Sequence, residues 1–308
     1  MHSSSLLEGV HKKQSLIQDR IRGVVHGSIN GVYLFGRPGT AKTFLVRTTL
    51  DKLHARFVYV NGHLTAAKLF DLIEQNPTAV IVLDDVSAIF DDRKALQILL
   101  AALGTSPDGT RVRPVCYRTR KEDKVVRFSG SIVAISNLQL AGHKSPVLAA
   151  LRDRAQVLSF ALTDEEMEAL IYSIAGTSPR GVESIDATRV ATFLLGVCRD
   201  LQVSPTIRLF VDKALSDFQG WKNDITTSHW NDLVRSSVQE LVIAPLQPLR
   251  DISRKEQMES ERRLVQEICA MFSEREQRVE AWTARTGKSQ SAFYRRFREM
   301  GGNGSLSA

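Results

Sequence analysis

Val32-Tyr33-Leu34-Phe35-Gly36-Arg37-Pro38-Gly39-Thr40-Ala41-Lys42-Thr43-Phe44-Leu45-Val46 is a short apolar run, a glycine-bearing turn and a Lys-Thr pair that opens a helical pattern. Strand, loop and helix N-terminus in that order make a phosphate cradle. Glycines let successive backbone N–H groups turn inward around phosphate oxygens, where a helix N-terminus is already positive. A lysine adds a mobile charge, and the next hydroxyl can ligate Mg²⁺. Gly36, Arg37, Pro38, Gly39, Thr40, Ala41, Lys42 and Thr43 are thus the candidate nucleotide-binding residues. Ala41 stands where the pattern has its second glycine, and a left-handed backbone at that position would be strained.

Working outward, residues 5–26 carry Leu6, Leu7, Val10, Ile17, Ile21 and Val24 at helical spacing, which predicts a helix before the first strand. After the cradle helix come a strand at Phe57–Val60, a helix from Leu64 to Gln75 and a buried strand Ala79–Leu83 that runs into Asp84-Asp85. Alternating strands and helices imply an α/β fold with a parallel, doubly wound sheet. Two acids at a strand's carboxyl end beside the cradle suit metal binding by Asp84 and polarisation of a water by Asp85. Asp91 and Asp92 read instead as helix caps.

The alternation breaks after a helix at Lys94–Leu103. Residues 111–120 and 124–128 alternate with period two around Lys121-Glu122-Asp123, which predicts a β-hairpin with seven basic residues against two acidic ones. Arg118, Arg120 and Lys124 are its candidate single-strand contacts, with a merely solvated basic face the competing explanation. A strand at Ser131–Ser136 then ends in Asn137, and a helix opened by Ser145-Pro146 carries Arg152 and Arg154 before a last strand at Val157–Phe160. From the capping box at Thr163–Glu166 onward the pattern is wholly helical, at about 163–175, 184–202, 205–218 and 228–242. Arg208, in the first turn of the third of these helices, opposes its macrodipole, as a ligand-binding residue or a plain surface arginine could.

Taken in order, these features resemble the AAA+ ATPase superfamily (P-loop NTPases) across roughly residues 28–242. The resemblance implies ATP and Mg²⁺ as cofactors, Walker A at Gly36, Gly39, Lys42 and Thr43, and Walker B at Asp84 and Asp85. It implies a first sensor at Asn137, a second at Arg208, and an arginine finger at Arg154, with Arg152 as the alternative, acting on a neighbouring subunit of a ring or filament. The hairpin resembles the pre-sensor hairpin of one clade of that superfamily. Asp85 departs from the usual Glu, which would slow hydrolysis and favour an ATP-gated holder.

Pro245, Pro248 and the charged run 250–263 read as a linker or an exposed helix start, followed by short helices at 264–272, 276–284 and 289–300. The segment Thr286–Phe297 resembles the recognition half of bacterial helix-turn-helix domains, with Phe293 and Phe297 toward a core. Lys288, Gln290, Ser291, Tyr294, Arg295 and Arg298 would then face duplex DNA; a basic helical hairpin extending the lid competes with this reading. The expected organisation is an N-terminal helix at 1–27, a nucleotide-binding core at 28–162 and a helical lid at 163–243. A linker at 244–263, a small all-α helix-turn-helix domain at 264–300 and a disordered tail at 301–308 complete it.

A net charge of +7 fits acidic partners, and three scattered cysteines without metal-ligand spacing suggest reduced thiols in the cytoplasm. No apolar run approaches membrane-spanning length. The favoured expectation is an oligomeric ATPase acting on DNA in replication, loading, transposition or recombination. An ATP-switched transcription regulator and a protein remodeller whose tail grips protein are the alternatives.

Overall fold

The computed structural model describes residues 2–86, 88–106, 108–118, 123–140, 146–243, 254–272, 274–286 and 289–299. They fall into two compact units, 1–242 and 243–308. In the first unit, α1 (His2–Val25) precedes β1 (Gly31–Phe35), α2 (Lys42–Lys52), β2 (Phe57–Asn61), α3 (Ala66–Gln75) and β3 (Val80–Asp84). A short turn α4 (Ala88–Asp91) leads to α5 (Arg93–Leu103), capped by the Asp92 carboxylate accepting from the Lys94 N–H at 2.8 Å. A hairpin of β4 (Arg113–Arg118) and β5 (Asp123–Phe128) follows, then β6 (Ser131–Ser136), α6 (Pro146–Arg154) and β7 (Gln156–Ser159). Helices α7 (Asp164–Ala175), α8 (Ser184–Asp200), α9 (Leu215–Lys222) and α10 (Trp230–Ile243) close the unit, with a π-helical stretch at Leu209–Ala214 leading into α9.

Five strands form one parallel sheet in the order β2-β3-β6-β1-β7, and β4-β5 pair separately and antiparallel. Successive strand residues face opposite sides, so the inner strands β1, β3 and β6 feed two cores. Val32, Leu34, Val82 and Val133 pack with α1, α2 and α7–α10 on one side. Tyr33, Ile81, Leu83 and Ile132 pack with α3, α5, α6 and the hairpin on the other. The inserted order matters for the site: β6 lies between β1 and β3, which puts the residues after β6 beside the cradle and those after β3 one strand further out.

Val10, Ile17, Ile21 and Val24 bury one stripe of α1 in that first core. Its Lys13 ammonium donates to both oxygens of Glu166 at 2.7 Å and to the Ala161 carbonyl at 2.9 Å, tying α1 to the start of α7. Glu166 also completes the capping box with Thr163.

The second unit is a three-helix cluster of α11 (Arg254–Met271), α12 (Arg275–Thr286) and α13 (Gln290–Glu299) around Val265, Ile268, Trp282 and Phe293. Of the two readings of the charged run, residues 254–263 take the helical one, as the first half of an 18-residue helix. Within it the Glu261 carboxylate is buried and accepts from Arg296 of α13 at 2.6 Å. The anticipated linker at 244–253 and tail at 301–308 lie outside the described residues.

Candidate functional site

The cradle sits at the carboxyl edge of the sheet, between the end of β1 and the start of α2. Gly36 is needed there because an added Cβ would come within 2.4 Å of the Phe160 carbonyl oxygen. Gly39 has φ 75°, the left-handed region that glycine enters without cost. Ala41 lies in the same region at φ 63° and ψ 29°, immediately before α2. The left-handed backbone at this position is therefore real, and it is occupied by a residue that carries a Cβ. Thr40 fixes the turn, its hydroxyl donating to the Arg37 carbonyl at 3.0 Å.

Lys42 is buried and reaches back across the loop. Its ammonium donates to the Gly36 and Arg37 carbonyls at 2.9 and 2.8 Å and to Asn137 Oδ1 at 2.9 Å. Burial pushes its pKa below the ordinary value of 10.5; Asp85 and Asp84 oppose that shift and Arg208 adds to it. Asn137, at the end of β6, also donates from Nδ2 to Asp85 Oδ1 at 3.2 Å, so one amide bridges the lysine and the second acid. Asp85 itself has φ 50°, a conformation that aspartate tolerates better than most residues, with its N–H on the Ile135 carbonyl. The buried Asp84 carboxylate accepts from Thr43 Oγ1 at 2.7 Å.

Two contributors to this site were not read from sequence. Tyr59, on β2, donates its hydroxyl to the same Asp84 oxygen at 2.5 Å, and the Arg47 guanidinium lies 5.0 Å from its ring centroid. Burial, then the bond to Asp84, raises the Tyr59 pKa above its ordinary value. Asp164 is the second. It pairs with Arg37 of the cradle at 2.9 Å and accepts from Ser204 at 2.9 Å, just ahead of Arg208. The Ile207 N–H donates to the Gly39 carbonyl at 2.9 Å, so the cradle is fastened directly to the segment that carries Arg208. No local pattern marks either residue, because a strand tyrosine and a first-turn aspartate are unremarkable until their neighbours are known.

The cradle opens onto a cleft of about 790 Å³. Residues 38–44, Asp84, Asp85 and Asn137 form its polar end, and Ile174, Thr177, Pro179, Ile207 and Val211 its apolar end, with Arg208 between the helices. Arg208 stands at the entrance to the π-helical stretch Leu209–Ala214, a local distortion found frequently at functional sites. Arg152 and Arg154 do not line the cleft of their own chain; both are exposed near the end of α6, and Arg154 donates to the Leu100 carbonyl at 2.7 Å.

The basic hairpin is less basic on its surface than its composition implies. Arg113 is buried, donating to Asn30 Oδ1 at 2.6 Å and to the Gly130 carbonyl, over the Phe128 ring. Arg111 donates to Ser131 Oγ at 2.8 Å. Both guanidiniums brace the base of the hairpin. Arg118 is exposed and pairs with Asp123, while Arg120 lies outside the described residues. In α13, Gln290, Ser291, Arg295 and Arg298 are exposed and Phe293 is in the core. Tyr294, expected on the outer face, is half-buried because its hydroxyl accepts from Arg275 at 2.6 Å and its ring carries that guanidinium. Lys288 lies outside the described residues.

A five-stranded parallel sheet in the order β2-β3-β6-β1-β7, with helices on both faces and a cradle between β1 and α2, defines a P-loop NTPase fold of the α/β class. Residues 32–129 match the AAA family, the ATPase family associated with various cellular activities. The protein is an ATPase, and a domain of this family binds ATP. Among curated relatives, an uncharacterized 36.7 kDa protein from the nrdC-mobD intergenic region of Enterobacteria phage T4 is 25% identical over 250 residues, 73% of this chain and 75% of that protein. The 26S proteasome regulatory subunit 6B homolog of Saccharomyces cerevisiae is 34% identical over 99 residues, 26% of this chain but only 23% of its own length. Among solved structures, a RuvB point mutant of Thermotoga maritima aligns with a TM-score of 0.47 and 16% identity, covering 96% of this chain and 88% of that one.

Proposed function

We propose that this chain is an oligomeric AAA ATPase that works on DNA, with ATP held in the cleft at Gly36–Thr43. The observation that carries the ATP site is the bridge Lys42–Asn137–Asp85. It gathers a phosphate-binding cation, a polar amide and a water-polarising carboxylate within hydrogen-bonding reach of one another, as phosphoryl transfer requires. Lys42 steadies the transferred phosphoryl group, Asp85 orients and polarises the attacking water, and Asn137 holds both in register. Arg208 reaches the same phosphates from the helical side. The paired hydroxyl and carboxylate of Thr43 and Asp84 are hard oxygen donors of the kind Mg²⁺ takes in nucleotide sites, where few protein ligands are needed. Bound there, Mg²⁺ would neutralise developing charge on the phosphates.

An arginine finger supplied by a neighbouring subunit completes the site. Arg154 is the better candidate than Arg152, since its bond to the Leu100 carbonyl fixes where the guanidinium stands. DNA engagement falls to the three-helix unit, read as a helix-turn-helix in which α13 presents Gln290, Ser291, Arg295 and Arg298 on its exposed face. The hairpin offers Arg118 and Lys124 to a single strand.

The deciding experiment is ATP turnover with and without single-stranded and duplex DNA, repeated for Arg295→Ala/Arg298→Ala. Stimulation by duplex that this double variant loses supports the reading. Equal duplex affinity and turnover in both proteins would assign the helical unit to a protein partner.

A further inference from the structure

We propose that Tyr59 is a positioning residue for the divalent cation, holding the Asp84 carboxylate in the orientation that receives it. The inference rests on the reading that Thr43 and Asp84 bind Mg²⁺. Tyr59 is paired in register with Val82, so its side chain leaves the sheet on the same face as Val82 and, two residues further, Asp84. The length of the phenol ring then carries its hydroxyl onto Asp84 Oδ2. The same oxygen accepts from Thr43, so two hydroxyls from different elements, one on β2 and one at the start of α2, grip a single carboxylate oxygen.

A carboxylate is nearly free to rotate about its last bond. Two donors on one oxygen remove that freedom, leaving a preset oxygen pair for an ion that demands near-ideal geometry. Arg47, which lines the cleft, lies over the Tyr59 ring and limits where that ring can go. Such outer hydrogen bonds to metal ligands typically contribute 10- to 100-fold to metal affinity.

The test uses Tyr59→Phe in the full-length protein, which keeps the ring and its contact with Arg47 and removes only the hydroxyl. Mn²⁺ affinity would be measured by electron paramagnetic resonance in the complex with ATPγS, and nucleotide affinity separately in EDTA. The expected result is a fall in Mn²⁺ affinity of about 10-fold or more with metal-free nucleotide affinity unchanged. Asp84→Asn serves as the reference. If Asp84→Asn weakens Mn²⁺ binding while Tyr59→Phe matches the parent, the positioning role is refuted and the metal site stands. If Asp84→Asn also leaves Mn²⁺ affinity untouched, the metal reading itself fails. Equal losses in the EDTA and Mn²⁺ measurements for Tyr59→Phe would show a merely structural hydroxyl, and overturn the proposal.

Discussion

Replacing Ala41, the residue that caps the start of α2, by glycine should stabilise the protein, although glycine gives the unfolded chain more freedom to lose. At φ 63° and ψ 29° the Ala41 Cβ crowds the following carbonyl, a cost of about 1–2 kcal/mol for an L-residue in the left-handed region. Glycine removes that cost but makes the unfolded chain more flexible, losing about 0.5–1 kcal/mol. The difference is a net gain of about 0–1.5 kcal/mol, which in a domain of this size raises the melting temperature by up to about 6 °C. The assay is a pair of urea unfolding curves at constant m-value, with thermal melts beside them. Ala41→Val, which places a β-branched residue at the same φ, should lose stability and provide the opposite sign. Were Ala41→Gly to lower stability by the 0.5–1 kcal/mol typical of an ordinary helical site, roughly the value for an unstrained alanine, the strain argument would be refuted.

Lys42→Ala should abolish ATP binding or turnover with the fold intact by circular dichroism; unchanged nucleotide affinity would remove the basis of the cleft assignment. Asp85→Asn should trap ATP bound and unhydrolysed, whereas Asp85→Glu should retain or raise turnover; normal turnover in Asp85→Asn would mean another acid orients the water. Turnover should rise with protein concentration and drop about 10³-fold in Arg154→Ala; if the loss follows Arg152→Ala instead, the finger is reassigned. Stability should also carry a pH signature from Glu166. Burial raises its pKa, but the Lys13 ammonium and the Thr163 N–H outweigh that and hold it below its ordinary value of 4.5. Its contribution is therefore present above pH 4.5 and lost as pH falls through the depressed folded-state value. In urea titrations the stability gap between the parent and Glu166→Gln should narrow in that acid window and persist at pH 7; a gap that does not change with pH would show that charge plays no part.

The parts of the fold that depend on local chemistry were legible in the order of residues alone. The order of strands and helices, the Thr163–Glu166 capping box and the inward Phe293 all follow from spacings of two, three or four residues, because backbone geometry makes such neighbours touch. The cradle belongs with them, since the strand, glycine turn and Lys42-Thr43 are contiguous. The rest depends on groups far apart in the chain, which meet only once it has folded. Nothing local specifies that β6 inserts between β3 and β1, yet that order is what brings Asn137 between Lys42 and Asp85. The tertiary fold likewise turned Arg113 from surface charge into a buried brace and drew Arg111 partly inward, because the Ser131 hydroxyl, the Asn30 side chain and the Gly130 carbonyl stand where their guanidiniums can donate. It also gave the buried Glu261 of α11 an arginine from α13. The left-handed backbone at Ala41 is the mixed case. Its position was legible as a missing glycine, but only the path of the loop around Lys42 determined that the alanine adopts the glycine's conformation.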